Sequence, residues 1–212
     1  SGEVLMAARV VVLAACAVAA RLPPSSAPTH AMVALSAPSA PAASAPAAAA
    51  NTTPIAAAQA MDVLAAQGKG FAAGKILSTN AVYVLFDPQC PHCARLWEAS
   101  MPLHTSVKFV WLPVAIMNAK SAPQGAAIMT ATNPVQAMAA HETSLLAGSG
   151  GTAASADIAP DVLAAIKTNT ELLERLGATS VPYIVARHQR SGQVVMQAGA
   201  NDTQSLATFL GL

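Results

Sequence analysis

The sequence predicts an α/β domain built on a central mixed β-sheet flanked by helices. Two runs rich in β-branched and aromatic residues, 81–86 (AVYVLF) and 107–114 (VKFVWLPV), lie on either side of a segment with helical composition. Near the C-terminus, the runs PYIVAR and QVVMQAG are separated by Ser191-Gly192, which is typical of a hairpin turn. A strand–helix–strand half followed by a hairpin and a helix gives a mixed sheet.

The bulk composition limits the function classes. The chain has 212 residues, a formal net charge of +1 and 10% charged residues. Near-zero net charge gives no electrostatic support for binding nucleic acid. From residue 55 onward roughly 160 residues remain, which is enough to bury a hydrophobic core.

The first 22 residues have the pattern of an export signal. Arg9 precedes an apolar run, 10–20, which has about 11 residues and is followed by small residues. The run is shorter than the ~20 apolar residues of a membrane span, and an uncleaved signal anchor starting near Val4 is an alternative. The stretch LAAC also fits a bacterial lipoprotein box, in which Cys16 carries lipid; otherwise Cys16 is one apolar residue of a discarded signal. Either way we expect a mature protein outside the cytoplasm, where disulfides persist.

Residues 23–54 are rich in Ala, Pro and Ser and almost free of charge. Repeated proline prevents a long helix, and large apolar side chains are too few to form a core. We therefore expect a disordered, semi-extended tether. The folded domain, 55–212, is expected to begin with a linker helix over 55–67, which the segment 68–75 (GKGFAAGK) then breaks.

Residues from about 118 to 176 lack a strand pattern and predict a helical insertion between the two halves of the domain. Helices are expected over 121–132, 134–146 and 160–167. A separate helix is expected from Thr168, because Thr168 and Glu171 have the spacing of a capping box. The closing segment predicts a C-terminal helix capped by Asn201 or Asp202.

Two of the chain's three cysteines, Cys90 and Cys93, lie in the stretch FDPQCPHCARLW. Structural zinc needs four ligands, commonly from two such pairs, and the remaining histidines are scattered without ligand spacing. Covalent haem attachment needs a histidine directly after the second cysteine, where this chain has Ala94. A structural disulfide is an open alternative, although closing so short a loop stabilises little. The pair therefore favours redox chemistry, which needs no metal and no organic cofactor.

The position of Cys90, between a buried strand and a helix start, predicts a stabilised thiolate. Pro91 suits the first helical position, where no N–H is needed. The free N–H groups of the first turn and the helix dipole favour negative charge on the Cys90 sulfur. A protonated His92 turned toward the sulfur would add to this; alternatively His92 is an exposed residue that tunes little. Cys93 is expected to be more buried and to act as the resolving thiol.

Three stretches carry a resemblance to a known family: VYVLFDPQCPHCARLW, SAPQGAAIMTATNP and ELLERLGATSVPYIV. With them the sequence resembles the thioredoxin superfamily, and most of all the catalytic domain of the periplasmic disulfide isomerases DsbG and DsbC. The resemblance covers about 75–212. It implies a thioredoxin fold, a periplasmic location, and a cis peptide bond before Pro182, where Val181 offers backbone hydrogen bonds to an extended substrate segment. A trans proline opening an edge strand is the alternative.

Two residues and one segment depart from the isomerase pattern. His92 gives the dipeptide typical of the oxidase DsbA, where isomerases usually have Tyr, and Val181 replaces a usual Thr. The tether takes the place of the folded domain through which the isomerases dimerise. We therefore expect a monomer, tethered to the membrane if Cys16 carries lipid.

The main functional hypothesis is an exported thiol-disulfide oxidoreductase, an isomerase or reductase of the DsbG/DsbC type. Its partners are cysteine-containing exported proteins and a membrane redox partner that resets the pair. One alternative is a monomeric dithiol oxidase like DsbA. Another is a non-enzymatic binding or chaperone domain whose cysteine pair is only a staple.

Overall fold

The computed structural model describes residues 53–199 and 202–212. The predicted export signal, Cys16 and all but the last residues of the tether therefore lie outside the described residues, as does Asn201. Among the described helices, none combines the length and the apolar content that crossing a bilayer requires.

In this part of the chain, five strands form one mixed sheet in the order β1-β3-β2-β4-β5. They are β1 (Phe71–Gly74), β2 (Ala81–Phe86), β3 (Lys108–Pro113), β4 (Tyr183–Arg187) and β5 (Val194–Ala198). Strands β2 and β3 are parallel, and the other three neighbouring pairs are antiparallel. The predicted α/β class with a central mixed sheet is confirmed.

Within the described residues, six α-helices surround this sheet. They are α1 (Ala60–Gln67), α2 (Pro91–Ser100), α3 (Ser121–Thr130), α4 (Pro134–Leu146), α5 (Pro160–Arg175) and α6 (Thr203–Leu210). Helix α2 connects the parallel strands β2 and β3, whereas α3 to α5 form an insertion between β3 and β4. The carboxylate of Asp202 caps α6 by accepting a hydrogen bond from the Ser205 N–H at 2.8 Å.

The core has two parts, one on each face of the sheet. Because successive strand residues point to opposite faces, the apolar run of β2 supplies both. Val82, Val84 and Phe86 join the cluster that contains the cysteine pair, and Tyr83 and Leu85 join the cluster that α1 and α5 cover. A central strand buried on both faces needs an apolar run without charge, as 81–86 provides.

The sequence predicted that 68–75 only breaks the preceding helix. In the structure this segment also contains the edge strand β1. This strand has four residues and pairs with β3, with Phe71 opposite Trp111. A Cβ atom at Gly70 would collide with the Trp111 carbonyl oxygen, so glycine permits this close approach. The strand depends on contacts with β3 that no local pattern reveals.

The predicted helix start at Thr168 is wrong, because α5 runs without a break from Pro160 to Arg175. Residues on both sides of Thr168 share one buried face, which includes Ile166, Asn169 and Leu172. Burial of this shared face favours one long helix over the capping box that the spacing suggested. Gly177 follows the helix end in the left-handed region, at φ +75°, where glycine is favoured.

Candidate active site

Cys90 lies at the N-terminus of α2, directly after the loop that leaves β2. Cys90 is the N-cap residue and Pro91 occupies the first turn. The Cys90 N–H donates to the Asp87 carbonyl at 2.9 Å, and the Cys93 N–H donates to the Cys90 carbonyl at 3.0 Å. These bonds fix the loop and place the first-turn N–H groups close to the Cys90 sulfur.

The two cysteines are free thiols with opposite pKa shifts. The pKa of Cys90 is lowered to about 7, and the largest cause is a hydrogen bond from the Cys93 thiol. The backbone N–H groups of Cys93 and His92 lower this pKa further, whereas burial and the charge of Asp87 raise it. Burial is the main cause that raises the pKa of Cys93 well above its ordinary value. Cys93 is 0% exposed and Cys90 is 3% exposed. The pair therefore combines a stabilised thiolate with a buried thiol.

His92 is exposed, and its ring Nδ1 lies 3.4 Å from Nη1 of Arg95. The part of His92 that lowers the pKa of Cys90 is its backbone N–H. Any residue other than proline could supply that N–H at this position. A role for the imidazole itself stays a prediction.

The segment before β4 faces the cysteine pair. The Val181–Pro182 peptide bond is cis, and the Cys90 Sγ lies 3.5 Å from the Val181 carbonyl oxygen. The Pro182 carbonyl accepts a hydrogen bond from the Gly199 N–H at 2.8 Å, which ties this segment to the end of β5. Cys90, Cys93, Val181 and Pro182, predicted from two distant stretches, thus lie at one place.

Asp87 is a buried residue of the site to which the sequence alone assigned no role. Its Oδ1 accepts from the Gln89 N–H at 2.9 Å. Its Oδ2 accepts from the N–H groups of Ile116 at 2.8 Å and Met117 at 3.0 Å. Asp87 therefore holds the cysteine loop against the loop that follows β3. The available signal was an acidic residue next to an apolar run.

Two neighbouring residues of α4 also reach the site, although sequence reasoning assigned them no role. His141 is buried, and its Nε2–H donates to the Pro88 carbonyl at 2.7 Å while Nδ1 accepts from the Thr152 N–H at 3.2 Å. Burial lowers the pKa of His141, so the neutral ring links the cysteine loop to the insertion. The signal in the sequence was the pair HE within an apolar helix.

The second of these residues, Glu142, is buried as well. Burial, followed by the charges of Cys90, Asp87 and Glu98, raises the pKa of Glu142 to about 9. The side chain is 1% exposed, and neither carboxyl oxygen has a hydrogen-bond partner within the described part of the chain. Over the same residues, no cluster of three or more His, Cys, Asp or Glu side chains suitable for a metal ion is found.

Fold and site together define a thioredoxin-like domain: a mixed sheet, a Cys-x-x-Cys pair at a helix N-terminus and a cis-proline segment opposite the first cysteine. The catalytic domain of Proteus mirabilis ScsC has a similar fold, with a TM-score of 0.54 and 19% identity over 72% of this chain and 95% of that domain. The predicted thioredoxin fold with a helical insertion is confirmed.

Comparison of sequences relates the chain to the thiol:disulfide interchange proteins named DsbG. It is 31% identical to DsbG of Pseudomonas aeruginosa over 143 residues, which are 66% of this chain and 54% of that protein. It is 27% identical to DsbG of Escherichia coli over 134 residues, which are 61% of this chain and 52% of that protein. The chain thus spans about half the length of these curated relatives. No protein-family model matches it.

Proposed function

We propose that the protein is a thiol-disulfide oxidoreductase that acts on cysteines of exported proteins through Cys90 and Cys93. The observation that carries this proposal is the Cys90 thiol, whose pKa is lowered to about 7 and whose sulfur lies 3.5 Å from the Val181 carbonyl oxygen. At neutral pH about half of such thiols are thiolate, the form that attacks disulfides.

The exchange uses each site residue in a separate step. The Cys90 thiolate attacks a substrate disulfide and forms a mixed disulfide, and one substrate thiolate leaves. Cys93 then attacks the Cys90 sulfur, forms the Cys90–Cys93 disulfide and releases the second substrate thiolate. An extended substrate segment lies along Val181 and Pro182 and accepts or donates backbone hydrogen bonds there.

We propose an isomerase or reductase of the DsbG type as the physiological direction. The sequence similarity to two proteins named DsbG supports this assignment. The rival is a DsbA-like dithiol oxidase, which the CPHC sequence and an expected monomer favour. A strongly oxidising reduction potential, together with failure to reshuffle a scrambled disulfide substrate, would reject the isomerase and leave the oxidase.

The proposed setting is the bacterial periplasm, in accord with the export-type sequence of residues 1–22. There a membrane thiol-disulfide protein resets the active site. Lipid on Cys16 would anchor the protein to the membrane, and mass spectrometry tests for that lipid. Solution mass tests the proposed monomer, since a dimer would restore the architecture usual for the isomerases.

His92 is proposed to stabilise the thiolate through its backbone N–H, with the ring as a secondary contribution.

The deciding experiment for enzyme function follows the alkylation of Cys90 and the reshuffling of a scrambled substrate by the same preparation. The Cys93→Ala variant is the control, because it can form mixed disulfides but cannot resolve them. A wild-type chain whose Cys90 stays unreactive at pH 6 after reduction would favour the alternative of a binding or chaperone domain with a structural disulfide.

A further inference from the structure

A cavity in the helical insertion has no part in the exchange steps above. Its volume is about 420 Å³, and its wall comes from 119–124, where α3 begins, and from the segment 149–156. Cavities that bind small ligands usually have volumes of ~300–1,000 Å³. The cavity is therefore large enough to hold one or two side chains of a bound polypeptide.

The side chain of Gln89, the residue before Cys90, connects this cavity to the redox pair. Its Nε2 donates to the Gly150 carbonyl at 2.9 Å and also to Oε1 of Gln124. The Gln124 side chain in turn donates to the carbonyls of Gly150 at 2.9 Å and Thr152 at 3.0 Å. Gln124, Gly150 and Thr152 all line the cavity. Its wall thus lies one side chain away from the loop that carries Cys90.

A second set of hydrogen bonds connects Lys120, another lining residue, to Gln89. Asn118 donates from Nδ2 to Gln89 Oε1 at 3.2 Å, and its Oδ1 accepts from the Lys120 N–H at 2.8 Å. The Lys120 side chain extends toward Gly150, since a Cβ atom built on Gly150 would lie 3.8 Å from Lys120 Nζ. The ammonium group therefore lies beside the residue whose carbonyl binds Gln89.

Helix α4 holds the 149–152 part of the wall in place from behind. The Thr152 N–H donates to Nδ1 of His141 at 3.2 Å, and Ser144 Oγ donates to the Gly151 carbonyl at 3.1 Å. A Cβ atom on Gly151 would collide with the His141 ring, so the backbone packs directly on that ring. The cavity is preformed, and a ligand that enters it needs to order little of the wall.

The cavity carries one positive charge that has no partner. Lys120 is the one titratable residue that lines it. Among the described residues, the one ion pair joins Lys167 to Glu171, so no carboxylate neutralises Lys120. Most other lining residues are small and uncharged: Ala119, Pro123, Gly151, Ala153 and Ala154. A cavity with this charge is complementary to a negatively charged group.

Resting on the proposed function, we propose that this cavity is a substrate subsite that binds an acidic side chain close to the substrate cysteine that Cys90 attacks. An extended chain advances ~3.3 Å per residue. A Glu or Asp a few positions from that cysteine can therefore reach Lys120 while the cysteine lies at Cys90. Lys120 is the specificity-determining residue, and Gln89 is a positioning residue that holds the cavity wall against the cysteine loop.

The test measures how fast the reduced full chain reacts with three cysteine peptides activated as pyridyl disulfides. The peptides are identical except for Glu, Gln or Lys a few residues from the cysteine. The Cys90 thiolate attacks the peptide sulfur, forms a mixed disulfide and releases thiopyridone, whose absorbance gives the rate. We expect the Glu peptide to react roughly 2- to 5-fold faster than the Lys peptide, the range of an exposed ion pair. Added salt should reduce this preference, because salt screens exposed charges.

Two variants separate the charge of the cavity from its shape. Lys120→Glu should reverse the preference for the Glu peptide. Ala153→Trp places an indole at the cavity and leaves Lys120 present, and it should reduce the preference. The matched control is Lys75→Glu, which makes the same charge change at an exposed lysine directly after β1 and should keep the wild-type preference. Lys120→Glu should also keep the midpoint of Cys90 alkylation near pH 7, since Lys120 is not among the main groups that shift this pKa.

Equal rates for the Glu and Lys peptides in an active wild-type chain overturn the subsite and leave the proposed function standing. A preference that survives in Lys120→Glu or in Ala153→Trp also overturns it. The same holds if Lys75→Glu reverses the preference equally, because net charge would then be its cause. A wild-type chain that reacts with none of the three peptides overturns the proposed function, and the subsite with it.

Discussion

The Cys90 sulfur lies 3.5 Å from the carbonyl oxygen of Val181, a residue 91 positions later in the chain. A carbonyl oxygen accepts hydrogen bonds, so this contact suits the protonated thiol and gives a thiolate no stabilisation. The groups that stabilise the thiolate lie instead on α2, in the Cys93 thiol and the first-turn N–H groups. The sulfur thus interacts both with its stabilising donors on α2 and with the segment assigned to substrate.

Removing the Cys93 donor should make Cys90 less acidic. We expect the rate of alkylation of reduced wild-type protein by iodoacetamide to have its midpoint near pH 7, and the midpoint of Cys93→Ala to be higher, because the Cys93 hydrogen bond is the largest cause of the lowered pKa. Cys93→Ser, whose hydroxyl can still donate, should fall between them. Identical midpoints in all three proteins would show that backbone N–H groups alone set the acidity.

Asp87→Asn should weaken the folded state and make Cys90 more acidic. Both carboxylate oxygens of Asp87 accept hydrogen bonds from backbone N–H groups. In the variant one oxygen is replaced by an NH2 group, which cannot accept, so the N–H groups bound to that oxygen lose their partner. Leaving a buried donor unsatisfied costs about 1–3 kcal/mol. Unfolding by urea measures this loss, and alkylation measures the pKa of Cys90, which the Asp87 charge raises. The exposed Asp157→Asn is the control and should change neither quantity.

His141 and Glu142 should make stability depend on pH in opposite directions. For His141 the folded-state pKa is lowered, so the unfolded chain binds the proton more readily and stability is lost as pH falls below about 6.5. For Glu142 the folded-state pKa is raised to about 9, so the folded chain holds the proton and stability falls as pH rises from about 4.3 toward 9.

Each of these dependences can be measured by substitution. We compare the free energy of unfolding of Glu142→Gln with that of wild type at pH 5 and at pH 7. The difference should move in favour of the variant as the pH rises, by up to ~1.4 kcal/mol for each pH unit. His141→Gln should flatten the loss of stability below pH 6.5. A constant difference between Glu142→Gln and wild type across this range would mean that Glu142 is ionised in the folded protein.

Asn169→Leu should destabilise the junction between α5 and the sheet. The Asn169 side chain accepts from the Lys69 N–H at 3.0 Å and donates to the carbonyls of Lys69 at 2.7 Å and Pro113 at 2.9 Å. Each backbone group left without a partner costs about 1–3 kcal/mol. Unfolding by denaturant checks the loss against Asn80→Ala, an exposed position that should be neutral. A loss no larger than that of the control would show that water replaces these bonds.

The strand–helix–strand unit and the cysteine pair could be predicted because their signals are local. An apolar run, a proline at the helix start and a Cys-x-x-Cys spacing lie within Ala81–Ser100 and need no distant partner. The edge strand β1 depends on its pairing with β3, so its four residues gave no local signal. The continuity of α5 depends on burial of one face in the core, so the local capping-box spacing was misleading. Asp87, His141 and Glu142 were missed for the same reason, because their roles arise only when the insertion packs against the cysteine loop.

The aromatic packing behind α2 gives the protein an internal optical probe. Both tryptophans of the chain, Trp97 and Trp111, stack edge to face with ring centroids 5.1 Å apart. Trp97 follows Cys93 by one helical turn, so the sulfur and the indole lie on the same side of α2. Forming or opening the Cys90–Cys93 bond changes the surroundings of a single coupled pair of fluorophores. The emission of the unlabelled chain should therefore follow every electron transfer at the site in real time.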